Sequence, residues 1–237
     1  MRRKLFFSLF STIIFSQDYS AKVYGFSVAD AHLTIKPDSI NLQFKTTGIV
    51  NLIWPSDNPY WTYFDTTHYG LISFQKNIKQ KKIMRVTKNI KQGTFTQKPL
   101  FELNDGLLKH KKEFRPRLDS TQTLFTMLAM IMNRPYELLD TQWFEVDHEG
   151  KSMLGRFLWS GTEEIKIGTK NIICNHFRLD LKGIDETGGF LTDTDRLMKY
   201  VSNPDGVRQI WVEQNGNHRI IRVEMNANGF PFEILIQ

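Results

Sequence analysis

A chain of 237 residues with 41% hydrophobic and 13% aromatic residues can bury one sizeable core, which excludes a low-complexity or natively unfolded protein. The formal net charge is +6, but Arg2, Arg3 and Lys4 supply half of it, and the stretch from Lys76 to Arg117 sets 13 Lys or Arg against Glu102, Asp105 and Glu113. The remainder is therefore acidic, and with no recognition motif this excludes nucleic acid as a partner. The single cysteine, Cys174, excludes an intramolecular disulfide and reads as a small strand residue.

Residues 1–16 read as a signal peptide. Arg2 to Lys4 are its positive n-region, Leu5 to Phe15 its apolar h-region, and Ser16 the small residue before cleavage. The apolar run is well short of the roughly 20 residues of a membrane-spanning helix. Residues 17–237 then form a single exported β-rich domain, periplasmic or secreted. An uncleaved N-terminal anchor is the alternative. No cysteine stands near the cleavage site to carry a lipid.

The mature chain opens on period-two patterning. Ala29, Ala31, Leu33 and Ile35 alternate with polar residues, Pro37-Asp38 supplies a turn, and Ile40, Leu42, Phe44 and Thr46 alternate again. This is an antiparallel hairpin. Trp54 to Phe64 reads as an aromatic loop, because two prolines oppose a regular strand up to Pro59. Its rings suit either the end of a sheet or a ligand platform. Strands are expected at Gly70–Phe74, Ile83–Lys91 and Thr94–Phe101, followed by a charged link from Asn104 to Arg117.

Asp119 to Pro135 (DSTQTLFTMLAMIMNRP) is the one well-specified helix. Asp119 is the expected N-cap, Gln122 its capping-box partner, and Pro135 the stop. Its interior is apolar nearly all round, so it is either a core helix across a sheet or a floor for an apolar ligand. Leu124, Met127, Leu128 and Ile131 are the candidate lining. After it come strands at Gln142–Asp147, Ser152–Trp159, Glu164–Ile167 and Ile172–Lys182, the last with Phe177, Leu179 and Leu181 inward. A hairpin on Asn215-Gly216, from Gln209–Glu213 to Arg219–Met225, and a strand at Phe232–Ile236 complete the chain. The fold class is mainly β: a curved antiparallel sheet, half-barrel or open barrel, wrapped round one central helix.

The Tyr19-to-Ile35 pattern, the Tyr69-Gly70-Leu71 step, Asp119-Ser120 and the Gly161-to-Asp180 segment together resemble the bacterial exported family called domain of unknown function 3108. So does the hairpin of Ile210-Trp211-Val212 with Arg222-Val223-Glu224. The resemblance implies a periplasmic curved sheet round a helix, similar to half-barrel lipoprotein carriers that hold acyl chains. It carries over no catalytic residues. The lysine-rich middle and the Trp54-to-Trp61 loop depart from it.

Catalytic signatures are missing. The six histidines are scattered, with no H-E-x-x-H, no G-x-S-x-G and no phosphate-cradling glycine loop. The acids between Lys182 and Asp205 match no calcium loop, and Glu163 and Glu164 fall on opposite faces of a strand. We therefore expect no enzyme, no metal and no cofactor, unless a histidine meets a carboxylate and a hydroxyl in a pocket. Lys81, Lys82, Arg85 and Lys88 are candidates to meet an anionic envelope component; alternatively they protect exposed strand edges from aggregation.

Two functions remain: a binder of lipid or another apolar envelope component, or an envelope structural protein filled by its own side chains. A carrier requires an apolar cavity of roughly 300–1,000 Å³. Oligomeric state is left open by the sequence.

Overall fold

The computed structural model of the chain describes residues 15–80, 84–91, 100–103, 120–148, 151–184, 196–227 and 229–237. Strands β1 (Phe15–Val23) and β2 (Phe26–Lys36) are joined by Tyr24 and Gly25, with φ of 49° and 80°. Positive φ at both central positions is the type I′ hairpin geometry, whose twist matches that of the strands. Strand β3 (Ser39–Thr46) pairs with β2, and Ala29, Ala31, Leu33 and Ile35 all point into the core. A short helix α1 (Gly48–Ile53), unexpected from the sequence, follows.

The stretch read as an aromatic loop is instead a strand, β4 (Ser56–Phe64), with Ser56, Asn58, Tyr60, Thr62 and Phe64 inward. Pro59 is tolerated because the ladder to β5 (Leu71–Gln80) skips Asn58 and Pro59, passing from Asp57↔Lys79 to Tyr60↔Lys76. The missing N–H therefore falls where no bond is made. Strands β6 (Met84–Lys91) and β7 (Leu100–Leu103) continue outward; the link Asn104 to Arg117 lies outside the described residues.

Helix α2 (Leu124–Asn133) starts later than Asp119. Its N-cap is Thr123, whose hydroxyl accepts from the Thr126 amide at 3.2 Å while Thr126 Oγ1 accepts from the Thr123 amide at 2.8 Å. This is a capping box built from two threonines. Asp119 lies outside the described residues, and Gln122 is engaged elsewhere. Leu71 N–H donates to Thr121, Gln122 N–H to Glu145, and Asp147 N–H to Gln122. These two residues thus lie as a stave between β5 and β8 (Trp143–His148). Tertiary hydrogen bonds hold them extended, and the helix begins only beyond them.

Strands β9 (Lys151–Ile167) and β10 (Lys170–Gly183) follow. The two segments expected at 152–159 and 164–167 are one strand, with a register shift at Gly161. Helix α3 (Arg196–Val201) leads to β11 (Val207–Glu213), β12 (Ile220–Ala227) and β13 (Phe230–Ile236). All thirteen strands form one antiparallel sheet in the order β7-β6-β5-β4-β3-β2-β1-β13-β12-β11-β10-β9-β8. It is open: among the described residues no ladder joins β7 to β8.

Helix α2 lies across the concave face with eight of its ten residues buried. Phe125 packs on Tyr60 and Phe74, at centroid distances of 5.4 and 5.8 Å, while Met127 faces Gly155 on β9. The sheet wraps a central helix, as the alternating strand pattern and the apolar helix require.

Candidate ligand site

Packing in the trough is incomplete under one face of α2. A partly open cavity of about 120 Å³ lies between Leu124 and Leu128 of α2, Leu33 of β2, Ile210 of β11 and Leu197 of α3. Its lining is almost wholly apolar. The polar side chains that reach it, Tyr19 and Arg208, turn their polar ends away. The Tyr19 hydroxyl lies within hydrogen-bond reach of the Ile220 carbonyl, at 3.0 Å, and of Gln17 Oε1, and burial pushes its phenol well above the ordinary range.

Arg208 donates to the carbonyls of Val201 at 2.5 Å, of Gly206 at 2.7 Å, and of Asn203. The Val201 carbonyl ends α3 and is one that a helix leaves without an internal partner; the other two lie in the turn that follows, where the Asn203 carbonyl also accepts from the Gly206 amide at 3.1 Å. A buried guanidinium thus pins α3 over the cavity. Burial lowers its pKa to about 10.

A second, more open apolar space of about 390 Å³ adjoins the first, with Phe44 and Leu197 lining both. It is bordered by Val28 of β2, Val50 of α1, Trp54 and Phe232. Phe44, Phe232 and Tyr200 form a collar of rings there, with Phe232 6.5 Å from Phe44 and 6.1 Å from Tyr200. Its floor is Thr46, Ser56 and Asn58. Beside this mouth, α1 exposes Ile49, Leu52 and Ile53 at 75%, 83% and 72%, and the β1–β2 turn exposes Tyr24 and Phe26.

Of the four candidate lining residues, Leu124 and Leu128 line the inner cavity. Met127 and Ile131 are buried but do not line it, Met127 packing against Gly155. A helix apolar all round does not reveal in its sequence which face will meet a void. Nor did the sequence mark Phe44, Phe232, Arg208 or Asn58, which come together only through the ladder order. Lys81 and Lys82 lie outside the described residues. Arg85 and Lys88 are β6 positions of opposite parity, three apart. Lys76, counted in the basic stretch, is fully buried opposite Tyr60 and adds nothing to a basic surface.

One hydroxyl–histidine–carboxylate row does occur. Ser16 Oγ lies 3.0 Å from His32 Nε2, and His32 Nδ1 lies 2.6 Å from Asp18 Oδ1. The distances suit nucleophilic catalysis. The setting does not: the row lies on exposed cross-strand positions of β1 and β2, with the His32 and Asp18 side chains 46% and 67% exposed. Neither cavity described above includes it. Ser16 would also leave with the expected signal peptide. A second cluster on β9–β12 has Glu163 accepting from Trp211 Nε1 at 2.9 Å and contacting His176 Nδ1 at 2.7 Å. The Trp211 bond, more than any other contact, holds the Glu163 carboxyl below its usual range.

Cys174 is buried in β10, which pushes its thiol up to about 11. Among the described residues no group of three metal-ligating side chains converges, and no helix is long and apolar enough to cross a membrane.

No family model matches the chain, so the likeness to domain of unknown function 3108 receives no family match, and no curated protein matches either. The fold is similar to the crystal structure of a β-barrel-like protein of domain of unknown function 1849 from Brucella abortus. That match has a TM-score of 0.57 at 8% identity and covers 95% of this chain and 96% of the other. It shows the fold alone. Lipoprotein LppX of Mycobacterium tuberculosis aligns over 94% of this chain and 84% of its own, at 9% identity and a TM-score of 0.29, too low to carry an argument.

Proposed function

We propose that this protein is a non-catalytic binder of an apolar, lipid-like component of the cell envelope. It would act after export to the periplasm or medium and loss of residues 1–16. The observation that carries this reading is the pair of apolar spaces meeting at Phe44 and Leu197. The inner space alone is near the ~150 Å³ that admits a benzene, so it takes only the tip of a hydrocarbon chain. The mouth falls in the size range of ligand sites and takes the rest. The exposed aliphatics of α1 stand beside it, where a chain leaving a lipid surface would enter without crossing water.

The basic residues Lys81, Lys82, Arg85 and Lys88 are proposed as a weaker contact for anionic head groups, which raised salt would weaken. A second reading, an interior filled by its own side chains, is favoured by the small volume of the inner space. Native mass spectrometry of protein purified from its own envelope, followed by lipid extraction, separates the two. Co-purifying lipid that is lost on Leu128→Asp, with the circular dichroism spectrum kept, supports the binder. Lipid-free protein in the native preparation leaves the structural reading. Mass measurement of the mature N-terminus tests export.

A further inference from the structure

Pro231 and Phe232, at the start of β13, line the apolar mouth and also a third space, a surface groove of about 370 Å³. Met225 lines this groove and the inner cavity alike. The mouth has no charged residue, and the inner cavity none but Arg208, which turns away. The groove is different: it carries Lys22 of β1, Arg222 and Glu224 of β12, and Glu233 of β13. Register sets three of these side by side, since Lys22 pairs with Glu233 and Glu233 with Glu224.

The charges are unequally engaged. Arg222 takes both carboxylates, with its Nε 3.0 Å from Glu233 Oε1 and its Nη2 on Glu224 Oε1. Its guanidinium also lies over the Trp211 ring, 5.0 Å from the centroid, which fixes it there. Lys22 is left over. It is half-buried and stands across from Glu233, yet no hydrogen bond or ion pair engages it among the described residues. A partly desolvated ammonium without a counter-charge favours an anion beside it. The groove thus offers one uncommitted positive charge, at the polar end of a path that is otherwise apolar.

Resting on the binding function proposed above, we infer that this groove is a head-group subsite, and that the ligand is an acyl amphiphile whose head is a singly charged oxyanion. The chain occupies the mouth and inner cavity, the linkage passes the rim at Pro231 and Phe232, and the oxyanion pairs with Lys22 Nζ. Arg222 does not bind the head. It neutralises Glu224 and Glu233, which would otherwise repel it.

The test titrates the full exported chain with two lipids that share one acyl chain, each displacing a fluorescent apolar dye. Lauroyl lysophosphatidylglycerol carries one negative charge, and monolaurin carries none. The charged lipid is expected to bind about fivefold more tightly, the yield of one partly exposed ion pair. Lys22→Met should erase that preference while keeping monolaurin affinity, and Lys22→Arg should retain it. Glu233→Gln, which frees Arg222, should widen it. Equal wild-type affinities, or a preference that survives Lys22→Met, would overturn the inference but leave the binding function standing. Failure of both lipids to displace the dye would overturn the binding function itself. Inorganic phosphate alone is the remaining probe. Lys22-dependent binding of phosphate as tight as that of the charged lipid would make the groove a free-anion site and overturn the head-group assignment. Should Lys22→Met not fold, Glu233→Gln still decides, because an unchanged preference there would also overturn it.

Discussion

The two sides of α2 meet the sheet in opposite ways. On the β9 side there is no room: a Cβ added at Gly155 would lie 2.7 Å from Met127 Sδ and 3.2 Å from Val146 Cγ2. On the other side Leu124 and Leu128 face a void of about 120 Å³, held open between strands and α3. Both faces are equally apolar, so composition does not distinguish them. The difference lies in what each abuts. A regular ladder brings β9 against the helix, whereas α3, tied down by Arg208, spans the other side without filling it. One helix therefore serves as a fixed wall and as a ceiling.

Small-to-large substitutions break this contrast most sharply. Gly155→Val should cost roughly 2–3 kcal/mol in urea unfolding, because the thioether end of Met127 and the Val146 side chain must both shift within a buried core. Removing the tie should cost somewhat less. Arg208→Met strands the carbonyls of Val201 and Gly206, at roughly 2 kcal/mol. Lysine at 208 should not restore it, since it lacks the planar fork.

The opposite sign is expected on the open side. Ala31 lines the void, and Ala31→Val should leave stability within about 1 kcal/mol or raise it. The same change should weaken dye binding, which fluorescence titration measures. A loss as large as that for Gly155→Val would mean the two sides are packed alike.

The smallest effect is a control outside both regions. Glu213 accepts two bonds from Arg219, each 2.9 Å, and the pairing lowers its carboxyl pKa below 4.5. A carboxyl whose folded pKa is depressed stabilises the protein above its unfolded pKa and loses that stabilisation as pH falls through the folded value. Arg219→Ala should therefore cost about 1 kcal/mol at neutral pH, and the cost should fade in strongly acidic solution, as pH-dependent urea melts would show.

Much of the sheet was legible because its residues alternate. Ala29 to Ile35, Phe177 to Leu181 and the Asn215-Gly216 turn each state their faces locally. The errors arose where distant groups decided. The start of α2 moved to Leu124 because Thr121 and Gln122 bond to β5 and β8, a tie written nowhere near Asp119. Pro59 argued against a strand, yet a gap in one ladder admits it. Lys76 looked like surface charge until register placed it opposite Tyr60. Of the site, the apolar helix was legible and its open face was not. Asn58 was invisible, because an asparagine between prolines reads as loop.

The position of β1 and β13 has a further consequence for assembly. They are the first and last strands of the described fold, yet they lie side by side in the middle of the sheet, paired from Tyr19↔Ile236 to Val23↔Phe232. The N-terminal strands can form their own hairpins as soon as they emerge, but they have no neighbour on the β1 side until β13 has been delivered. Joining the halves has the widest sequence separation of any ladder among the described residues to overcome. Losing β13 would not trim a border of the protein but cut it down the centre, leaving two sheets with raw edges and one helix to share.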